Sequence, residues 1–401
     1  MRYAVLSFLC LVTVIAYLQR AALGVPSKAI EGDLGLGPKD MGLVWLGWYA
    51  AYALWQLPSG WVADRLGSKA ALALFAVLWS ALTAAAGLAT GFVGLSLLWA
   101  LMGAAQAGIF PCATKAIGAT FGRTEQAFAS GALACGMAFG AALAQDLTGR
   151  LLGPLTWQQI LAGYAVPGLL WAAAFAALVT RPDGPRPATP APAAPVRWSR
   201  LVTDPQMVLL CAQQFQRAAA TALFFTWFPR YLQETKGVTP LESGSLAAWP
   251  LLTGMLGGLL GGLASDWLLR RTGSTRLSRQ GLAIASMVVC TGVSLAAYRT
   301  ADAHTAVVLV SVAAFCGYVG GVTAYAVAIA MGGTRVAPVF ATMNMAGNVG
   351  AGLFPFAVGY LVTETGNWNL ALVLFAALYA GSGACWALLN PKGPLFAEEP
   401  T

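Results

Sequence analysis

Two arginines lie inside long apolar stretches of this sequence, where a charged side chain needs a physical explanation. Arg20 follows AVLSFLCLVTVIAYLQ, and Arg217 lies within CAQQFQRAAATALFFTWF, 197 positions later (217 − 20) in a chain of 401 residues. A cation in an apolar environment is costly unless other groups compensate its charge. Because a guanidinium presents a planar fork of N–H donors, it suits a carboxylate or a phosphate. The spacing therefore predicts an anion clamp built from one arginine in each half of the chain. The alternative is that each arginine pairs with carbonyls or a helix-end acid and only orders the helices.

Several polar side chains in other apolar stretches could orient an anion beside these arginines. The candidate substrate-binding residues that accompany Arg20 and Arg217 are Tyr17, Tyr52, Gln106, Lys115, Tyr325, Asn344 and Asn348. Taken singly, each could instead form a helix–helix hydrogen bond. Lys115 also lies within reach of water at a helix end, and Asp146 is positioned to pair with Arg150 four residues later.

The elements that must position these residues are membrane-spanning helices. Hydrophobic residues make up 58% of the sequence and charged residues 9%, and the mean hydropathy is +0.69. Soluble domains carry about 25% charged residues. Apolar runs of about 20 residues, the length that crosses a bilayer, recur along the whole chain. The composition excludes an ordinary soluble protein and predicts an all-α integral membrane protein that contacts the lipid bilayer along its length.

Breaks between the apolar runs divide the sequence into twelve predicted transmembrane helices. The predicted spans are 3–30, 40–63, 70–90, 92–121, 126–150, 156–180, 204–235, 240–270, 277–299, 303–331, 335–363 and 366–390. Fourteen lysines and arginines then lie in segments on one side and six on the other. Because cytoplasmic loops are enriched in basic residues, both termini are predicted to face the cytoplasm. The first apolar run is too long for a cleaved signal peptide and lacks a cleavage site.

A proline-rich segment separates two halves of six predicted helices each. Residues 181–200 read RPDGPRPATPAPAAPVRWSR, a composition typical of an extended linker. It divides the chain into an N-terminal bundle, 1–180, and a C-terminal bundle, 201–401. The halves also resemble each other, since SGWVADRLGSK (59–69) closes the second predicted helix and GGLASDWLLRRTGS (261–274) closes the eighth.

The stretch GWVADRLGSK resembles the loop signature between helices 2 and 3 of the major facilitator superfamily. That resemblance implies two six-helix bundles with a ligand site near the membrane midplane. It also implies a conformational latch on the cytoplasmic face rather than a substrate site. The residues that would form this latch are Gly60, Asp64, Arg65, Gly67, Lys69 and, in the second half, Asp266.

Further stretches resemble one branch, the anion:cation symporter family, which includes sialin, the vesicular glutamate transporters and bacterial sugar-acid transporters. They are YLQRAALGVP, GAAQAGIFPCATKAI, RAAATALFFTWFPRYLQETKGVTPLESG and NMAGNVGAGLFPFAVGYL. The resemblance implies a secondary transporter of a small organic anion, such as a carboxylate or a sugar acid, with Tyr17 and Tyr52 in its pocket. Proton-coupled bacterial members have acids where this sequence has Gln19 and Gln106. We therefore expect transport without the usual proton coupling.

Other functions remain to be compared with this hypothesis. An organophosphate:phosphate exchanger would use the same two arginines, a drug exporter fits them less well, and a transport-dead sensor would share the fold. The seven cysteines all lie in apolar runs, and no Cys/His/Asp grouping is present. The sequence therefore predicts no enzyme, no metal site and no cofactor. We expect a monomer in the plasma or inner membrane that binds a small anion and no nucleic acid.

Overall fold

The regular structure of the chain is helical throughout the part that the computed structural model describes. The structure describes residues 2–122, 125–179, 201, 203–333 and 336–390. The predicted linker 181–200 lies outside these residues. The helices are α1 (Arg2–Arg20), α2 (Ser27–Leu34), α3 (Pro38–Leu66), α4 (Ser68–Ala86), α5 (Phe92–Gln106), α6 (Ile109–Thr120), α7 (Gln126–Leu151), α8 (Trp157–Leu178), α9 (Pro205–Phe225), α10 (Phe228–Lys236), α11 (Pro240–Thr272), α12 (Leu282–Arg299), α13 (Ala303–Gly332), α14 (Val336–Thr365) and α15 (Leu370–Leu388).

Most of these helices are long and apolar enough to cross a membrane. In the described residues, ten segments meet both conditions. They are Arg2–Arg20, Ser68–Ala86, Phe92–Thr120, Phe128–Leu151, Trp157–Leu178, Pro240–Thr272, Arg276–Arg299, Ala303–Gly332, Pro338–Thr365 and Leu370–Leu388. The long helices α3 and α9 supply the other two predicted spans. The prediction of an all-helical membrane protein with twelve spans is confirmed.

Three predicted spans are interrupted instead of continuous. The first, predicted as 3–30, ends as a helix at Arg20 and resumes at Ser27. Between them, a Cβ on Gly24 would lie 3.1 Å from the carbonyl oxygen of Thr226, so the turn passes close to another backbone. Pro26, with no N–H to donate, directly precedes α2 and separates it from the turn.

The fourth and seventh spans are interrupted in the same way. The fourth ends at Gln106 and resumes at Ile109, and a Cβ on the intervening Gly108 would overlap the ring of Phe75. The seventh divides into α9 and α10, with Pro229 in the first turn of α10. Helix ends leave backbone groups free for other partners, so each break is a place where polar contacts concentrate.

Two compact units emerge from the contacts within the chain. The first contains the described residues of Met1–Pro192 together with Phe225–Ala248 and Pro355–Gly366. Within it, α3 packs on α5, α4 packs on α5 and α8, and α1 packs on α7 and α8. The indole of Trp227 donates to the carbonyl of Pro355 at 2.8 Å and lies edge-on to Trp45, with ring centroids 4.6 Å apart. The segments 225–248 and 355–366 are therefore tied into this unit by buried aromatic side chains.

The second unit contains the described residues of Ala193–Phe224, Trp249–Phe354 and Asn367–Thr401. In it, α12 packs on α13 and α15. The thiol of Cys290 donates to the carbonyl of Ala313 at 2.9 Å, and a Cβ on Gly257 would overlap the carbonyl of Phe315. Small residues let these helices approach closely, as is usual where helices pack in a bilayer.

Gly140 on α7 offers a direct test of this close packing. A Cβ there would lie 2.8 Å from Cα of Val14 and overlap its carbonyl oxygen, and backbone atoms of α1 cannot turn aside as a side chain can. We expect Gly140→Ala to destabilise the protein by about 1–3 kcal/mol, as overpacking does. The measurement is thermal unfolding in detergent. Gly131→Ala on the same helix is the control, because no atom lies within 4 Å of its added Cβ. Equal melting temperatures for the two variants would contradict the packing of α1 on α7.

Candidate functional site

The guanidinium of Arg20 is surrounded by aromatic rings in the first unit. Its Cζ lies 4.0 Å from the ring centroid of Trp48, 4.9 Å from Tyr49 and 5.1 Å from Tyr17. The rings of Tyr52 and Phe225 follow at 5.7 Å each. We call these five rings the Arg20 cage. Cation–π attraction compensates part of the charge while leaving N–H donors available.

Among the described residues, no carboxylate lies within ion-pair distance of Arg20. Its Nη1 donates to the hydroxyl of Tyr17 at 3.3 Å. The residue as a whole is half-buried. A cation that is stabilised by rings but not neutralised by an acid is suited to receive an anion from solution.

Local structure explains how Arg20 reaches this position. It is the last residue of α1, where the free carbonyls of the helix end favour a cation. The rings of Trp48, Tyr49 and Tyr52 project from α3 at i, i+1 and i+4. Trp48 is held in place because its indole donates to the sulfur of Met102 at 3.0 Å and its ring stacks on Tyr52 at 5.0 Å.

Arg217 lies on α9 in the second unit and is more deeply buried, with 8% of its surface exposed. Its Nε and Nη2 donate to Oε1 of Gln214, at 3.3 and 2.9 Å. A Cβ on Gly321 would lie 2.9 Å from Nη1, so the guanidinium rests against the bare backbone of α13. No carboxylate is within ion-pair distance in the described chain. A neutral amide is the acceptor here, which leaves the positive charge uncancelled.

Gln19 and Gln106, at the positions where the resemblance to the anion:cation symporter family implies acids, connect helices within the first unit. Gln19 Nε2 donates to the carbonyl of Tyr164 at 2.7 Å and to the hydroxyl of Ser80 at 3.3 Å. Gln106 Nε2 donates to the carbonyl of Ala16 at 2.9 Å. An ionised carboxylate could donate to none of these oxygens. Each glutamine therefore holds helices together through a bond to a carbonyl oxygen, which a carboxylate could form only when protonated.

The remaining candidates in the second unit lie on α13 and α14. The ring of Tyr325 is 37% exposed and lies 5.3 Å from that of Phe340. Asn344 and Asn348 are half-buried one turn apart on α14. No described contact joins these three residues to Arg217, and their part in the site stays a prediction.

Lys115 lies beside the predicted latch. Its Nζ donates to the carbonyl of Ala63 at 3.0 Å and forms an ion pair with Asp64 at 3.2 Å. The Asp64 side chain is 76% exposed, and the described contacts do not join Lys115 to Arg20. Asp146 pairs with Arg150 at 2.8 Å, as its spacing predicted, and also accepts from Ser245.

The other latch residues occupy the junction of α3 and α4. Gly67, with φ of 82°, forms the turn between the two helices in a conformation that favours glycine. Arg65 lies over the ring of Trp61 at 3.7 Å, and Lys69 donates to the carbonyl of Ala176 at 2.7 Å.

Two latch residues lie within helices. Gly60 is half-buried on α3 and Asp266 is exposed on α11.

Sequence reasoning missed part of the surroundings of both arginines. Trp48 and Tyr49 belong to an aromatic stripe on α3 that its helical spacing could have revealed. Gln214 lies three residues before Arg217 on α9, so helical spacing could have revealed it as well. Phe225 and Gly321 gave no such signal, because only the folded chain brings them to Arg20 and Arg217.

Comparison with known proteins now decides the family. A family model described as the Major Facilitator Superfamily matches residues 9–338. The chain belongs to the Major Facilitator Superfamily. The resemblance first noted in the loop between α3 and α4 is thereby confirmed over most of the chain.

Superfamily members with curated names match almost the whole chain. The probable galactarate/D-glucarate transporter GudP of Bacillus subtilis (strain 168) is 30% identical over 97% of this chain and 90% of its own length. The probable sulfoacetate transporter SauU of Cupriavidus necator is 26% identical over 97% of this chain and 94% of its own length. The protein is therefore a multi-pass membrane transporter of this superfamily and not an enzyme.

Solved structures agree on the fold. A crystal structure of a bacterial homolog of the human lysosomal transporter Spinster superposes with a TM-score of 0.78. It covers 97% of this chain and 94% of its own, at 20% sequence identity. At that identity the likeness concerns the major facilitator fold alone.

The contacts of Lys115 generate a prediction about anion binding. We expect Lys115→Met to leave the affinity for an organic anion within about twofold of the parent, because the ammonium is already engaged by Ala63 and Asp64. The exposed ion pair that the substitution removes contributes about 0–1 kcal/mol. Thermal-shift titration of purified protein measures this affinity. Lys69→Met is the matched control, as its ammonium also donates to a carbonyl near the same helix ends. A tenfold weakening confined to Lys115→Met would place this lysine in the anion site.

Proposed function

We propose that this transporter moves a small organic anion, a carboxylate or sugar acid, by alternating access, with Arg20 and Arg217 binding its anionic group. The observation that carries the proposal is the Arg20 cage. It holds a half-buried cation with aromatic rings and, in the described residues, with no carboxylate. A ligand with a negative charge stabilises such a site most, because it supplies the counter-charge that the arginine lacks.

The names of the relatives support the same substrate class. Galactarate and D-glucarate are sugar acids and sulfoacetate is a small organic anion, and proteins named for their transport match nearly the whole chain. A sugar acid also carries a hydroxylated carbon chain whose C–H groups can pack on aromatic faces. Tyr17 and Tyr52 would supply both ring surface and hydroxyl groups beside the bound carboxylate.

Arg217 would contribute in a different way from Arg20. Gln214 orients its guanidinium through two donated bonds without cancelling its charge. Gly321 leaves room for it on α13. Gln106, Tyr325, Asn344 and Asn348 complete the proposed set of substrate-contacting residues, to be tested one at a time. Lys115, predicted from the sequence to belong to this set, is engaged by Ala63 and Asp64 instead, and the Lys115→Met measurement above tests whether it also contacts the anion.

The proposal assigns conformational control to the cytoplasmic loops. Asp64 and Asp266, with Arg65, Lys69 and the turn at Gly67, would stabilise one end state of the cycle. Residues 1–180 and 201–401 act as the two moving halves, both termini face the cytoplasm, and a monomer carries out transport in the plasma or inner membrane.

Removal of either arginine tests the proposed clamp. A hydrogen bond to a charged group contributes about 1.5–3 kcal/mol, and we expect Arg20→Ala and Arg217→Ala each to weaken anion binding at least tenfold. Thermal-shift titration with mono- and dicarboxylates, sugar acids and inorganic phosphate gives the affinities. Arg150→Ala is the control, since Arg150 is 61% exposed and paired with Asp146. Undiminished carboxylate binding in both arginine variants would contradict the clamp, and binding of phosphate alone would favour an organophosphate:phosphate exchanger.

The glutamines generate a prediction about energy coupling. Because Gln19 and Gln106 cannot titrate, we expect no accumulation of the anion above its external concentration when a pH gradient is imposed on proteoliposomes. Radiolabelled uptake to steady state is the measurement, with counterflow at equal pH on both sides as the control for active protein. Accumulation that follows the size of the pH gradient would contradict this prediction.

A further inference from the structure

A cluster of four charged side chains, none of which belongs to the Arg20 cage, lies at the predicted outer ends of the helices. Glu31 on α2 accepts from Nη2 of Arg230 on α10 at 3.2 Å. Arg230 also pairs with Glu234 at 3.1 Å, and Glu234 pairs with Lys28 at 3.1 Å. We call Lys28, Glu31, Arg230 and Glu234 the outer cluster. All four belong to the first compact unit.

The Arg230–Glu31 pair of this cluster is almost completely shielded from solvent. The side chains of Arg230 and Glu31 are 7% and 9% exposed, whereas that of Lys28 is 65% exposed. One oxygen of Glu31, Oε1, is buried with no hydrogen-bond partner in the described part of the chain. A buried carboxylate with an unsatisfied oxygen is costly in its ionised form, and a proton on that oxygen removes the charge.

The cluster also links sequence segments from the two halves of the chain. Lys28 and Glu31 follow α1, whereas Arg230 and Glu234 follow α9. If the chain works by alternating access, as proposed above, α2 and α10 must separate when the outer side opens. Separation would return Glu31 to water.

We propose that Glu31 is a proton-binding site that controls how firmly α2 is held to α10. The proton would come from the external medium and return to it, so this site regulates the outer closure and does not drive accumulation. The inference rests on the proposed transport cycle for its meaning, but the proton site can be tested without transport.

The charged groups around Glu31 settle the direction of the effect. Burial raises the pKa of Glu31 to about 7, from an ordinary value of 4.5. Arg230 and Lys28 act against this rise, whereas Glu234 and Asp40 add to it through like-charge repulsion. The packed arrangement therefore binds the proton more tightly than the separated one. By linkage, this stabilisation is fully present below pH 4.5 and is lost as the pH rises through about 7.

A cysteine in place of Ser27 reports the separation of α2 from α10. Ser27 is fully buried one turn before Glu31, and its hydroxyl has no partner in the described residues, so a thiol there breaks no described hydrogen bond. The seven native cysteines are first replaced, and a membrane-impermeant methanethiosulfonate reagent is applied to detergent-purified protein. Gly32→Cys is the control, because it lies on the same helix, is exposed and has no atom within 4 Å of the added Cβ. Dividing the two rates removes the ordinary pH dependence of thiol chemistry.

We expect the Ser27→Cys rate, relative to Gly32→Cys, to rise about tenfold between pH 6 and pH 8, since one pKa unit corresponds to a factor of ten. With Glu31→Gln added, the ratio should stay flat, because glutamine has no proton to lose in this range. A flat ratio in the parent, or an equal rise with Glu31→Gln, would overturn the proposal.

Glu234→Gln supplies an independent variant should Glu31→Gln fail to fold. Removing this like charge lowers the pKa of Glu31, so the rise should move to lower pH. An unshifted rise overturns the assignment to Glu31. No substrate is present in this assay. If the ratio of the two cysteine reaction rates is flat in protein that still binds anions, only the proton site is rejected. If the ratio rises with pH as expected but the protein binds no anion, only the proposed function is rejected.

Discussion

The positive charge of Arg20 in an apolar surrounding is the constraint on which the rest of the site depends. The bilayer offers no water to hydrate this charge, and the described residues offer no carboxylate to neutralise it. The surrounding rings, with Trp48 nearest at 4.0 Å, lower the cost without removing the charge. An acid in the same place would have satisfied the arginine permanently and left nothing for a ligand to supply. The cage therefore keeps the cation stable and receptive at the same time.

The broken helices follow from the same constraint. A continuous helix satisfies all its backbone groups internally, so polar chemistry inside a membrane concentrates where a helix ends. Arg20 ends α1, and Gln106 ends α5. Gly24 and Gly108 lie in the turns that follow these two ends. The backbone thus opens near residues that carry charge or hold helices together.

Much of the fold and part of the site could be predicted from the sequence. Hydropathy and the distribution of charge identify twelve spans, because a bilayer imposes length and apolarity on every crossing. Tyr17 and Tyr52 were predicted beside Arg20, and the structure brings all three together. Phe225 completes the same cage from about 200 positions away, and no periodicity relates it to Arg20. The breaks at Arg20 and Gln106 were also missed, because the apolar runs continue through them. These breaks accompany contacts between distant segments, such as Gly24 against Thr226.

Polar residues that cannot titrate and polar residues that can titrate lie in different parts of the protein. In the membrane interior, Gln19 and Gln106 form fixed hydrogen bonds to Tyr164 and Ala16, so a change of pH leaves these connections intact. At the outer ends, by contrast, a buried carboxylate shares one arginine with a second carboxylate. On the proposal above, proton binding at Glu31 changes the strength of a contact between segments that must separate, whereas an ionised acid near Arg20 would compete with the anion for the guanidinium. On these two proposals, a titrating group at the predicted outer end, instead of the centre, would let the external medium adjust the outer closure, while the affinity of the anion site would stay set by its arginines.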